Sequence, residues 1–252
     1  MEDKDKLLSA KIEDMFKLCD KYSQARFSHF LNETEKETVS QYLTQRSFGY
    51  NTAFFGGYDE AERCILGVFP DWEECDKARY PIAALRVEKG YDRTLSHRDY
   101  LGCILSLGID RGKIGDILVD DKGAYIFAAE DIADFVCLNI KKVANCGVKI
   151  SRVSVKEEDL PKREYEEIRT VSASLRLDAA LSAALGISRR ESSSYIAGGR
   201  VSVNHKQIFE NSFELKPGDL MSVRGVGRLI LKDIGAGTKS GRIHITLLKC
   251  VK

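Results

Sequence analysis

Seven residues able to grip an anion gather in one short stretch: Arg176, then Ser188, Arg189, Arg190, Arg200, Asn204 and Lys206. Ser188 followed three residues later by Glu191 is a capping box, so a helix is expected to begin at Arg189. The start of a helix carries about half a positive charge from its unpaired amides. Arg189 and Arg190 therefore oppose the dipole there, and are expected to be neutral or slightly unfavourable to the fold. An anion seated at the helix start gives them a purpose, because free amides and flanking guanidinium groups both bind phosphate oxygens. The serine run 192–194 is poor helix-forming material, and exposed hydroxyls there could touch a sugar–phosphate backbone. The "GIDRGKIGDI" loop, with Arg111 and Lys113, reads equally as a second, weaker anion contact or as a plain helix-to-strand turn.

Other chemistries fit the sequence less well. "HRD" at His97 to Asp99 resembles a kinase catalytic loop, but the Asn required five residues after the Asp is Ile104. These residues read instead as the polar start of a helix. "GAGTKSG" (235–241) lacks the GxxxxGK[ST] order of a phosphate loop and precedes a strand, so a hairpin is expected. Carboxylates in "DDK" and "EED" fall in turns and linkers. The 7 cysteines include no CxxC pair and the 4 histidines stand apart, so no metal site is read and free thiols in a reducing cytosol are expected. No nucleophile setting is present. The sequence is read as a binder that needs no cofactor and is not an enzyme.

The elements that must carry the basic stretch follow from size and patterning. The 252 residues, 43% hydrophobic and 31% charged, allow two or three small domains. No apolar run approaches a membrane span, and the mixed charges of "MEDKDKLLSAKIEDMF" are unlike a signal peptide, so a cytoplasmic protein is expected. The net charge of +1 conceals a gradient. Residues 1–75 hold 9 Lys and Arg against 15 Asp and Glu, residues 76–171 hold 17 against 17, and residues 172–252 hold 13 against 6. A net +7 at the C-terminal end suggests a polyanionic partner.

The expected fold class is α+β, in three parts. Residues 1–75 read as an N-terminal α/β domain, with helices over the first forty-odd residues and then a Gly-Gly turn leading into a strand that ends at Pro70. Residues 76–160 read as β-α-β-β-α-β, the ferredoxin-like arrangement shared with RNA-recognition modules. Its strands are placed at 82–90, on both arms of a hairpin over 115–129, and at "VKISRVSV". Its second helix is expected to run from Glu130 until stopped near Gly147. Tyr125 and Phe127 alternate on one face of a hairpin strand, either as core or as an aromatic platform. "EEDLPKREYEE" (157–167) reads as a charged linker. Residues 172–252 read as two short helices laid on a sheet of four strands, with Leu177, Leu181 and Leu185 on one stripe.

Three pieces of this last part follow a known order: Arg176-Leu177-Asp178, Gly186-Ile187-Ser188-Arg189, and Gly199-Arg200-Val201-Ser202-Val203-Asn204. It resembles the small RNA-binding domain first known from ribosomal protein S-four, departing from it at His205, where a glycine is usual. With "FFGGYDEAER" (54–63) and "LSHRDYLGCILSLGIDRGKIGDILV" (95–119), the chain from about residue 20 is similar to the bacterial YlmH family. The resemblance implies binding to structured RNA (rRNA, tRNA or both) on the large ribosomal subunit, in quality control of stalled nascent chains. The alternatives are an RNA-modifying enzyme with a cryptic catalytic domain in residues 1–160 and a protein adaptor in cell division.

Overall fold

The computed structural model describes residues 2–44, 49–161, 165–204, 206–238 and 241–250, in two compact units, Met1–Pro161 and Lys162–Lys252. The first unit opens with helix α1 (Glu2–Tyr22), strand β1 (Arg26–Leu31), helix α2 (Glu33–Thr44), and strands β2 (Tyr50–Phe55) and β3 (Cys64–Pro70). The strands pair antiparallel in the order β1-β3-β2. Leu8, Ile12, Phe16 and Cys19 recur at helical spacing along α1 and pack on Leu31, Val39, Leu66 and Val68. Asn32 starts α2 reciprocally: its Oδ1 accepts from Glu35 N–H at 3.0 Å, while Glu35 Oε2 accepts from Asn32 N–H at 2.8 Å. The helical reading of the first forty residues is thus corrected by β1, a strand of six residues. β3 lies beneath side chains on both faces, with Ile65 and Phe69 packed among Phe30 and Tyr80, which accounts for its unbroken apolar run.

The same unit continues with β4 (Ile82–Lys89), α3 (His97–Leu105), β5 (Ile114–Asp120), β6 (Gly123–Ala129), α4 (Glu130–Asn139), β7 (Lys142–Val143) and β8 (Cys146–Val153). The sheet order β5-β6-β4-β8-β7, antiparallel throughout, is the ferredoxin-like order with one short strand added. Ala83, Leu85 and Val87 of β4 face Tyr100 and Ile104 of α3 and Ala133 and Val136 of α4. The kinase-like tripeptide is a helix start, as its Asp99 accepts from Ser96 N–H at 2.7 Å. α4 ends eight residues before Gly147 (139 against 147), earlier than expected. A tight turn with Ala144 at φ 50° pairs Val143 with Cys146, so Lys142 to Gly147 become a hairpin instead of further helix.

Asp116 ties the two halves of this unit together. It is 7% exposed and accepts from Tyr58 Oη at 2.8 Å, Glu62 N–H at 2.7 Å and Arg63 N–H at 3.1 Å. Arg63 then donates from Nε to the carbonyl of Ile114 at 2.9 Å and from Nη2 to that of Phe30 at 2.9 Å. Burial pushes the Arg63 pKa below its ordinary value, with the nearby carboxylates of Glu35 and Asp116 opposing the fall.

The second unit holds β9 (Tyr165–Ser172), α5 (Leu177–Leu185), α6 (Arg189–Ala197), β10 (Val201–Val203), β11 (Lys206–Gln207), β12 (Leu220–Val223), β13 (Gly227–Gly237) and β14 (Ile243–Cys250). They form one sheet in the order β11-β10-β12-β13-β14-β9, with both helices packed on it through Leu177, Leu181 and Ile196. Gly186 closes α5 in the left-handed conformation at φ 64°, where a side chain would be strained. The last three residues of the expected charged linker, Tyr165 to Glu167, are strand: β9 pairs with β14 from Tyr165↔Cys250 to Ser172↔Ile243. "GAGTKSG" begins at the end of β13, as a hairpin requires, and its Lys239 and Ser240 lie outside the described residues.

Asp116→Ala should lower the stability of the first unit by about 3 kcal/mol, since it strands three part-buried donors and removes one of the carboxylates that offset the Arg63 charge. Urea unfolding of wild type and variant measures this; a loss below about 1 kcal/mol would mean the carboxylate holds nothing together.

Candidate nucleic-acid interface

The starts of α5 and α6 meet at one carboxylate. Asp178 lies in the first turn of α5 and is 5% exposed. It accepts from Arg176 Nε at 3.1 Å and from Arg189 Nη2 at 2.7 Å, while its backbone carbonyl accepts from Ser192 Oγ at 2.8 Å. Burial alone would raise the Asp178 pKa, but the hydrogen bonds and charges of Arg176 and Arg189 outweigh it and hold the carboxyl below its ordinary value. Both guanidinium groups stay partly open, with side-chain exposures of 43% for Arg176 and 54% for Arg189. The first amides of α5 are already taken, Leu177 N–H by the Phe213 carbonyl at 2.8 Å and Asp178 N–H by the Asn211 carbonyl at 3.3 Å, so what this centre offers an anion is the open donors of two arginines fixed beside the start of α6.

Arg189 and Arg190, a single anion clamp in the sequence reading, play different parts. Arg189 is paired within the fold to Asp178, a carboxylate it shares with Arg176, which offsets the expected conflict with the helix dipole. Arg190 is exposed and has no partner among the described residues. Ser188 caps α6 by accepting from Glu191 N–H at 3.1 Å, whereas the Glu191 carboxylate accepts from Tyr195 Oη at 3.2 Å instead of completing the box. Ser192 is fully buried against the Asp178 carbonyl, so the exposed-hydroxyl reading does not hold for it.

The remaining basic and polar positions are distributed around this centre. Arg200 follows α6, donates from Nη2 to the carbonyl of Arg224 at 2.8 Å and stacks 4.0 Å above the Tyr195 ring. Asn204 builds a turn at φ 46°: its Oδ1 accepts from Leu220 N–H at 2.9 Å and its Nδ2 donates to Asp219 at 2.8 Å. Lys206 is exposed on the short edge strand β11, and His205 lies outside the described residues. Arg111, in the first unit, is turned inward: its Nη1 donates to the Ile114 carbonyl, and burial together with the Arg63 charge lowers its pKa to about 10. Lys113 pairs with Asp131. That loop is held by its own contacts, which favours a structural role.

Asp178, Tyr195 and Arg224 carry weight that sequence reasoning did not give them. Asp178 stood in the quoted Arg-Leu-Asp motif, and its spacing of two from Arg176 was a usable signal. Tyr125 and Phe127 also resolve: Phe127 is buried beneath Tyr58, stacked at 5.0 Å, and Tyr125 is covered by Arg86 at 4.5 Å. Arg86 is itself bidentate to Asp120 at 2.7 and 3.0 Å. Among the described residues, no group of three His, Cys, Asp or Glu side chains could hold a metal ion. No helix among them is long and apolar enough to cross a membrane.

Residues 82–157 match the family model described as "Putative RNA-binding domain in YlmH", and residues 175–220 match that of the "S4 domain". Over 223 residues the chain is 30% identical to the "Ribosome-associated protein quality control protein P2" of Bacillus subtilis (strain 168), covering 88% of this chain and 86% of that protein. The chain belongs to the YlmH family. The "Cell division protein ylmH" of Streptococcus pneumoniae superposes with a TM-score of 0.54 at 17% identity, covering 63% of this chain and 95% of that one, a likeness of fold. In this YlmH family member the S-four-like domain is therefore the part that contains the Asp178 centre.

Charge reversal should separate the two neighbouring arginines. Arg189→Glu faces a second carboxylate to Asp178 and should cost about 2 kcal/mol in denaturant unfolding. Arg190→Glu, exposed at a positive helix end, should be neutral or gain a few tenths of a kcal/mol. Equal losses for the two would contradict the division of labour.

Acid should act through the same carboxylate. Because folding lowers the Asp178 pKa, its contribution is complete at neutral pH and is lost as pH falls from the unfolded value, about 3.9, through the lower folded value. Asp178→Asn should flatten the stability–pH curve in that acid window; an unchanged curve would show that the ion pairs do not stabilise the fold.

Proposed function

We propose that this protein binds structured RNA, rRNA, tRNA or both, on the large ribosomal subunit, and acts there in quality control of stalled nascent chains. The observation that carries the binding role is the pair of helix starts held at Asp178, which offers Arg176 and Arg189 half-open beside the exposed Arg190, which has no partner among the described residues. The ribosomal setting rests on the Bacillus subtilis relative, whose name describes a ribosome-associated quality control protein. We read the chain as a binder with no cofactor of its own, working in the cytoplasm, because both matched domains are RNA-binding modules. We assign the phosphate grip to the C-terminal domain, with its +7 excess, and only a minor share to the Arg111–Lys113 loop of the middle domain.

Binding to rRNA or tRNA in a filter or fluorescence assay should weaken with salt. Roughly five phosphate contacts give a slope of log affinity against log salt of about −3.5 to −4.5. Arg190→Glu should weaken binding strongly while leaving the unfolding curve in place. Sedimentation with isolated large subunits should fall in parallel. A slope near zero, or wild-type affinity in Arg190→Glu, would overturn the phosphate mechanism.

A further inference from the structure

At the opposite end of α6 from Arg190, the chain turns through Gly198 and Gly199 into β10 and makes a corner of different chemistry. Tyr195 lies under the guanidinium of Arg200, whose Nη2 is fixed on the Arg224 carbonyl while Arg224 N–H donates to the Arg200 carbonyl at 2.8 Å. On the other side, Ile208 N–H donates to the Val201 carbonyl, which carries the β10–β11 pairing onward and brings Phe209 beside the same corner. Gly199 adopts φ 62°, and a Cβ there would stand 2.6 Å from Gln207 Nε2, which donates to the Gly199 carbonyl, and 3.3 Å from Phe209 Cε1, so the bare glycine admits Gln207 with the Phe209 ring close beside it. Phe209 is nevertheless 60% exposed. Neither Arg200 nor Arg224 has a carboxylate partner among the described residues, and Glu210 next to Phe209 is exposed.

An open aromatic ring in the same strand row as two arginines matches the chemistry of an unpaired nucleotide. Aromatic rings and guanidinium planes both stack on bases, and the arginine charges meet the adjoining phosphates. Arg200 is held flat by its contact with Tyr195, so little freedom is lost when a base arrives. α6 spans nine residues, about 13 Å of axis, which separates this corner from Arg190 by a few nucleotides of strand. We propose that the corner formed by Arg200, Phe209 and Arg224 is a stacking site for an unpaired base of the bound RNA, while the other end of α6 grips its phosphates. This rests on the RNA-binding reading above and adds to it a preference for loops over continuous duplex.

The test uses the full chain with two probes: an RNA hairpin carrying 2-aminopurine in its loop, and a blunt RNA duplex of the same stem. Wild type should bind the hairpin more tightly and change the 2-aminopurine fluorescence. Phe209→Ala should lose about 5- to 100-fold of hairpin affinity and the fluorescence change, with duplex affinity and salt slope unaltered. Phe209→Trp should restore both, and Phe209→Leu, which is apolar but has no ring, should not. If wild type binds the hairpin and Phe209→Ala binds it equally with the same fluorescence change, the stacking site is wrong and the RNA-binding reading stands. If wild type binds neither probe, both fall together.

Discussion

The carboxylate of Asp178 is the constraint on which the C-terminal domain depends. A charged group buried to this degree is costly unless it is paired, and its two partners are residues that a phosphate would also attract. Its backbone carbonyl receives Ser192 from the second helix, so the same residue fixes the crossing of α5 on α6. Fold and surface charge are thereby joined. The arginines are held by a partner that satisfies only some of their donors, and the remainder project at the helix starts. An arginine suits this double duty because its fork of five donors can serve two acceptors at once, which an ammonium group does less well.

The first unit uses a carboxylate in the same manner for a different purpose. Asp116 collects donors from the segment between β2 and β3 and so seats the three-stranded sheet against the five-stranded one. Tyr58, drawn in by that carboxylate, covers Phe127, and Arg86 covers Tyr125. The ferredoxin-like sheet thus holds its two central aromatics in internal contacts.

Patterns of local origin were legible in the sequence. The alternation of Ala83, Leu85 and Val87, the leucine stripe of α5 and the Ser188 cap all follow from spacing alone. What escaped depended on distant partners. β1 and β9 lie beside helical or charged neighbours in sequence, and β9 alternates only weakly because an edge strand tolerates charges on its outer side. The hairpin after α4 was hidden because Lys142 to Gly147 continue a plausible helical pattern until a turn at Ala144 intervenes. At the site, the dipole rule treated Arg189 and Arg190 alike, since no one-dimensional pattern reports which of two neighbours will meet a buried acid on another helix. The inward turn of Arg111 was equally invisible.

The pairing of β9 with β14 has a kinetic side. These strands are neighbours in the sheet, yet both helices and four other strands of the domain lie between them along the chain. Bringing them together closes a loop of about seventy residues, and such non-local contacts form late because the entropy of closure must be met before any ladder bond is gained. As the chain is synthesised, β9 emerges long before its partner and must wait without a mate. The charges of Glu166, Glu167 and Arg169 lie along that strand, and charges on an unpaired strand disfavour its pairing with other chains.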